Sequence, residues 1–119
     1  MKRFGELLMA AGVSLAALSL PGCAGSPPDV PVGVGGSQDQ ELVLGRDVFA
    51  RRCASCHGVS GGGGAGPKLS DGAVVMAYPD ADDQRHVIVN GRKAMPSFAN
   101  RLSDEEIDAV VRYTREVLS

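Results

Sequence analysis

The chain has 119 residues, of which 44% are hydrophobic and 22% charged, and its formal net charge is −2. That charge balance gives no electrostatic case for binding nucleic acid or an anionic membrane surface, and the length admits one small domain with little besides. Residues 1–22 read as an export signal. Lys2 and Arg3 form a basic start, and LLMAAGVSLAALSL continues it as a 14-residue apolar stretch too short to span a bilayer. Removing Lys2, Arg3 and Glu6 from the twelve basic and fourteen acidic side chains leaves ten and thirteen, so the processed chain is mildly acidic.

The segment ends in LPGC, residues 20–23, which resembles the lipobox of bacterial lipoproteins, where the cysteine is diacylated and becomes the mature N-terminus. On that reading Cys23 carries a lipid. Pro21 departs from the pattern, which has Ala, Ser, Thr or Val at that place. The rival reading is ordinary cleavage after Ala24, with the small residues Gly22 and Ala24 flanking Cys23. The adjoining stretch, AGSPPDVPVGVGGSQ over residues 24–38, is rich in Gly, Pro and Ser and has no period of 2 or 3.6. Residues 23–38 are accordingly expected to be a flexible tether.

Residues 39–119 form the domain. In SQDQELVLGRDVFARR, Ser37 and Gln40 make a capping box, and Leu42, Gly45 and Phe49 recur on one helical face. The helix leads into CASCH, residues 53–57. With three Cys and two His in the chain, that C-x-x-C-H string has about one chance in a thousand of arising at random. Cys53 and Cys56 lie a helical turn apart, which sets two thiols to one side where they can add to the vinyl groups of a haem. The imidazole of His57 then supplies a proximal nitrogen to iron. A thioredoxin-like redox pair or half a zinc site competes for the first four residues alone, but no βαβ pattern and no further ligand cluster accompanies them. The glycines at 61–64 and 66 match no phosphate-binding loop, since no Lys-Ser/Thr pair comes after them and no strand precedes them; they read as a pliable loop near the haem.

Further along, DADDQRHVIVNG predicts a short helix capped by Asp80 and ended by Gly91, with His86 facing solvent. Two methionines remain as soft ligands for iron, Met76 and Met95. Pro96 biases Met95 toward an extended loop from which its side chain can point inward, whereas Met76 reads as packing. Arg92 and Lys93 are either partners for a haem carboxylate or solvated loop charges. In SDEEIDAVVRYTREVLS, Ser103 and Glu106 form a capping box ahead of a stripe of Ile107, Val110, Val111, Thr114, Val117 and Leu118. No alternating run of strand length competes, so the domain is all-α, with three to four helices. Its aromatics are only Phe49, Tyr78, Phe98 and Tyr113, and a domain this small and aromatic-poor calls for a filler at its centre.

Taken together, residues 41–119 resemble the small bacterial members of the class I cytochrome c family. The resemblance implies a small cytochrome c fold around one covalently bound haem c, in which the first and last helices cross at Gly45, Phe49 and Tyr113. It implies that the Pro67 carbonyl, in the G-P-x-L element Gly66 to Leu69, accepts the second imidazole hydrogen bond. The loop NGRKAMPSF resembles the family's distal loop, which makes His57 and Met95 the axial ligands. Covalent haem attachment in bacteria occurs outside the cytoplasm, which agrees with the export signal and places the protein in the periplasm or on the outer face of a bacterial membrane. The implied function is one-electron transfer between redox protein partners, not enzymatic catalysis, by a monomer or a subunit of a respiratory complex. The alternatives are a haem subunit of a larger oxidase or dehydrogenase, and a gas-binding haem protein should the sixth ligand be labile.

Overall fold

The structure, a computed structural model, describes residues 25–119, so the export signal, the LPGC motif and Cys23 lie outside the described residues. Helix α1 (Gln40–Val48) runs through one π-helical turn (Phe49–Cys53) into α2 (Ala54–His57). A single turn α3 (Ala73–Ala77), then α4 (Ala81–Asn90) and α5 (Asp104–Glu116), complete four helical segments. Among the described residues there are no strands, only isolated bridges joining Val32 to Gln38 and Arg92 to Met95.

The caps explain where these helices begin. Ser103 and Glu106 form the expected box at α5, with Glu106 N–H donating to Ser103 Oγ at 3.2 Å and Ser103 N–H to Glu106 Oε2 at 2.9 Å. Asp80 caps α4 through Asp82 N–H at 2.9 Å, and Gly91 ends the helix with φ of +75°. At α1 the expectation is corrected. Asp39, not Ser37, is the cap, and its carboxylate accepts from Glu41 N–H at 2.9 Å and Leu42 N–H at 3.3 Å. Both residue types cap well. The burial of Leu42, Gly45 and Val48 in this register decides between them.

Helices α1 and α5 cross at Gly45. A Cβ there would drive into the Ala109 carbonyl and come within 2.7 Å of Tyr113 Cβ, so only glycine permits the approach. Phe49 and Tyr113 are fully buried beside the crossing, with ring centroids 5.7 Å apart. Ile107, Val110 and Leu118 join them in the core. On α3 the buried residue is Val74. Met76, expected to pack, is 81% exposed.

Part of the expected tether is also corrected. Pro27 and Val30 are buried, and the segment is held by its carbonyls. Tyr113 Oη donates to Pro28 O at 2.6 Å, and Arg46 donates to Pro28 O at 3.1 Å and Pro27 O at 2.9 Å. Arg46 also meets the Asp29 carboxylate at 2.8 Å, and Gln38 donates to Val30 O at 2.6 Å. Residues 27–30 thus form a strap over the α1–α5 crossing. Two prolines offer acceptors and no donors, so this stretch docks without the periodicity by which helices and strands are recognised in a sequence.

Candidate functional site

Between α2, α4, α5 and the loops that join them lies a cavity of about 660 Å³, within the range of cofactor sites. Its walls are largely apolar, with Leu69, Val74, Val87, Ile88, Phe98 and Val110 among them. The polar side chains deepest in it satisfy each other: Gln84 donates to Thr114 Oγ1 at 2.8 Å, and Thr114 shares its proton with the carbonyls of Val110 and Val111 at 3.0 Å. A flat apolar group can therefore fill the space without stranding a buried donor or acceptor. Sequence reasoning did not single out Gln84, which reads as one more polar residue of an exposed helix.

The C-x-x-C-H motif sits on the π turn and α2, and Cys53, Cys56 and His57 all line the cavity. A π turn is a frequent companion of functional sites because it re-aims the side chains beyond it. Cys53 and Cys56 form no disulfide with each other. Burial, reinforced by the neighbouring Cys56, pushes the Cys53 thiol up to about 11. Thiol–disulfide enzymes use the opposite shift, toward a stable thiolate, so the direction of this shift lends a thioredoxin-like pair no support. Among the described residues no three His, Cys, Asp or Glu side chains are grouped to hold a metal ion, which leaves the zinc reading without ligands.

His57 is buried, and its Nδ1 donates to Pro67 O at 2.8 Å. That bond leaves Nε2 with a free lone pair and fixes the ring's rotation. Gly66 supplies the room: a Cβ there would come within 2.8 Å of His57 Cε1 and 2.9 Å of Nδ1. The loop before it is tied down by Gly63 N–H to His57 O at 2.7 Å and Gly66 N–H to Cys56 O at 2.8 Å. The glycines at 61–64 are therefore part of a bonded turn, and they do not line the cavity.

Met95 lines the same cavity as His57, and Met76 does not. The backbone of Met95 is not simply extended. It closes a tight turn with Arg92, with reciprocal bonds of 3.1 and 3.0 Å, and Lys93 takes a left-handed φ of +54° within it. Gly91 starts the turn, where a Cβ would lie 2.7 Å from Met95 O. Arg92 and Lys93 both line the cavity, while His86 is exposed in a shallow groove on α4.

Residues 40–113 match the model of a family described as cytochrome C oxidase, cbb3-type, subunit III. The chain belongs to this family of cytochrome c domains. It is 38% identical over 86 residues to chloroplastic cytochrome c6 of Chlamydomonas reinhardtii, covering 68% of this chain and 57% of that protein. It is 35% identical to the cytochrome bc1 complex cytochrome c subunit of Mycobacterium leprae, covering 76% of this chain and 32% of that one. The domain thus spans a little over half of the first relative and about a third of the second. Cytochrome c6 of the diatom Phaeodactylum tricornutum superposes with a TM-score of 0.54 at 31% identity, over 61% of this chain and 88% of its own. The small cytochrome c fold is common to both. The cofactor of such a domain is one covalently attached haem c, and the cavity, the two unbridged cysteines and the oriented imidazole of this cytochrome fit it.

Proposed function

We propose that the chain is a one-electron carrier in which Cys53 and Cys56 would hold the haem by thioether bonds and His57 Nε2 and Met95 Sδ would ligate its iron. When bound, the haem would supply an iron centre able to take up and give back one electron. The protein's part is binding, orientation and exclusion of water. Pro67 and Gly66 hold the imidazole in one tautomer and one rotation, which leaves the Nε2 lone pair as the donor. The Arg92–Met95 turn holds the thioether on a rigid loop, and a His/Met pair favours ferrous iron and raises the potential. With His57 and Met95 both as ligands, the iron would keep no free position for a substrate, which favours transfer over catalysis. The carrying observation is that Met95 and the oriented His57 line one cavity while Met76 lies outside it.

The test is ligand replacement. Met95→Ala should abolish the far-red sulfur-to-iron band of the oxidised protein and lower the potential, and Met76→Ala should change neither. The reverse result would overturn the assignment. Carbon monoxide binding rapidly to reduced wild type would instead support the gas-binding reading.

A second reading concerns setting. The export signal and LPGC motif support a periplasmic or outer-face location with Cys23 as lipid anchor, and the relation to a bc1 complex subunit supports membership in a respiratory assembly. No helix among the described residues is long and apolar enough to cross a membrane. Because Pro27 is docked, a lipid on Cys23 would leave a leash of at most about 14 Å, four residues fully extended, in place of a long swinging tether. Mass spectrometry of the mature N-terminus decides this: diacylated Cys23 is expected, and a chain starting at Gly25 without lipid refutes the anchor.

A further inference from the structure

Gln84 is the one buried residue of α4, and it meets a second buried polar side chain, Thr114 of α5. Both line the cavity. Burying an amide carries a desolvation penalty even when its bonds are made, so an apolar residue would fill that place with less penalty. The contacts on the far side of Gln84 give the amide a purpose. Arg115 donates from one guanidinium nitrogen to Gln84 Oε1 at 3.3 Å and to Tyr78 O at 2.7 Å, and from the other to Pro79 O at 2.9 Å. All three acceptors are neutral.

That set of acceptors is unusual for a held cation of this chain. Arg46, Arg51, Lys68, Arg85 and Arg112 each meet a carboxylate, whereas half-buried Arg115 meets none within ion-pair reach among the described residues. Asp80, next in the chain after Pro79, turns its carboxylate to Asp82 N–H instead. A guanidinium is always charged. A cation is therefore fixed behind the cavity wall with its charge uncompensated. From it the bonds run in one direction: Arg115 to Gln84 Oε1, Gln84 Nε2 to Thr114 Oγ1 at 2.8 Å, and Thr114 Oγ1 to the carbonyls of Val110 and Val111, each at 3.0 Å. Each dipole in that chain points its negative end toward Arg115 and its positive end away. The amide and the hydroxyl thus extend the positive potential of Arg115 along the cavity wall.

We infer that Arg115, Gln84 and Thr114 form an internal electrostatic element that favours the reduced state of the cofactor, with Arg115 as the source of charge and the two cavity-lining side chains as positioning residues. The inference rests on the carrier reading and deepens it. Taking an electron from a bound haem adds a positive charge to it, and a like charge held close by opposes that step. Arg115 does not line the cavity itself, so it acts through Gln84 and Thr114 and not by touching the cofactor. Because it is half-buried and held by backbone carbonyls, salt screens it less than it screens a solvated cation.

The test is the midpoint potential of the holoprotein, titrated spectroscopically in roughly 0.5 M salt so that solvated charges are screened. Arg115→Gln removes the charge and keeps a donor. Gln84→Glu offsets the charge with almost no change of shape and still faces Arg115 with an oxygen. Each should shift the one-electron equilibrium about threefold or more toward the oxidised protein, a fall of about 28 mV at 59 mV per tenfold. Arg115→Lys, which restores the charge with fewer hydrogen bonds, should recover most of that loss. Arg85→Gln removes a cation of the same helix α4 that pairs with Asp104 and Asp108 outside the cavity, and should leave the potential within the same margin. A potential within that margin of wild type in either Arg115→Gln or Gln84→Glu overturns the inference, and if Arg115→Gln does not accumulate, Gln84→Glu decides alone. It is overturned equally if Arg115→Lys falls as far as Arg115→Gln, since the hydrogen bonds and not the charge would then matter. Loss of the far-red sulfur-to-iron band in Gln84→Glu also overturns it, because the pair would then act by holding Met95. A wild type without a reversible one-electron couple fails the carrier reading and this inference with it, and that failure is seen before any variant is compared.

Discussion

The α1–α5 crossing and the cavity stand at opposite limits of how a domain of some eighty residues closes. At the crossing, protein fills protein: Gly45 lets two backbones touch, Phe49 and Tyr113 are sealed, and the strap at 27–30 covers the junction with every carbonyl it offers to Arg46 and Tyr113 satisfied. At the cavity the same core ends in apolar walls around about 660 Å³, ringed by five cations of which Arg52, Lys93 and Arg101 have no side-chain partner among the described residues. The first region is a structural joint complete in itself. The second is complete only with its cofactor. Substitutions in the joint should therefore change stability and leave spectrum and potential alone, and those at the cavity should do the reverse.

The hardest test of that division is Gly45→Ala. One methyl group meets the Ala109 carbonyl and Tyr113 Cβ, and the helices must separate, which should cost about 3 kcal/mol or prevent accumulation of folded protein. Gly62→Ala is the control, since its Cβ meets only Ser60 Oγ at 3.6 Å; it should be close to neutral in chemical denaturation. Equal losses for the two variants would mean that the crossing is not the joint described.

Next in size is the strap. Deleting residues 26–36 removes buried Pro27 and Val30 and strips Tyr113 and Arg46 of their acceptors, and should cost about 2–3 kcal/mol. No residue of the strap lines the cavity, so the haem spectrum and potential should be unchanged. Unaltered stability would return the segment to the status of a free tether.

The smallest effect is that of Tyr113→Phe, about 1 kcal/mol, since Arg46 still satisfies Pro28 O. It carries a pH signature. Burial pushes the Tyr113 hydroxyl up from 10.0 to about 12, so the folded state holds this proton more tightly than the unfolded state does. The resulting stability is present below pH 10 and lost as pH rises toward about 12. Wild type should therefore lose more stability than Tyr113→Phe across that window. Parallel curves would show that the hydroxyl is not tied to the strap.

Much of both regions was legible beforehand because the signals are local. Cys53, Cys56 and His57 are adjacent in the chain, Ser103 and Glu106 cap across one turn, and Asp80 and Gly91 mark helix ends by chemistry that acts over three or four residues. Gly66 and Pro67 could be assigned a role only through the family resemblance, although the reason for that glycine is physical and visible: the His57 ring occupies the space of its missing Cβ. The misreadings lie where two remote parts of the chain decide the outcome. Asp39 displaced Ser37 because the face buried against α5 set the register of α1. Met76 turned outward because Val74 took the inward position on a single helical turn.

The sequence by itself therefore determined the cofactor chemistry and the helical class, since each is written in residue types at short spacing, while the pair of helices that cross was implied only by the family resemblance. The tertiary structure alone decided that a proline-rich stretch is a strap and that an acidic chain has a basic opening. Backbone carbonyls leave no mark in a residue pattern, and charges far apart in sequence acquire a shared field only when the fold brings residues 51–52, 92–93 and 101 around one cavity.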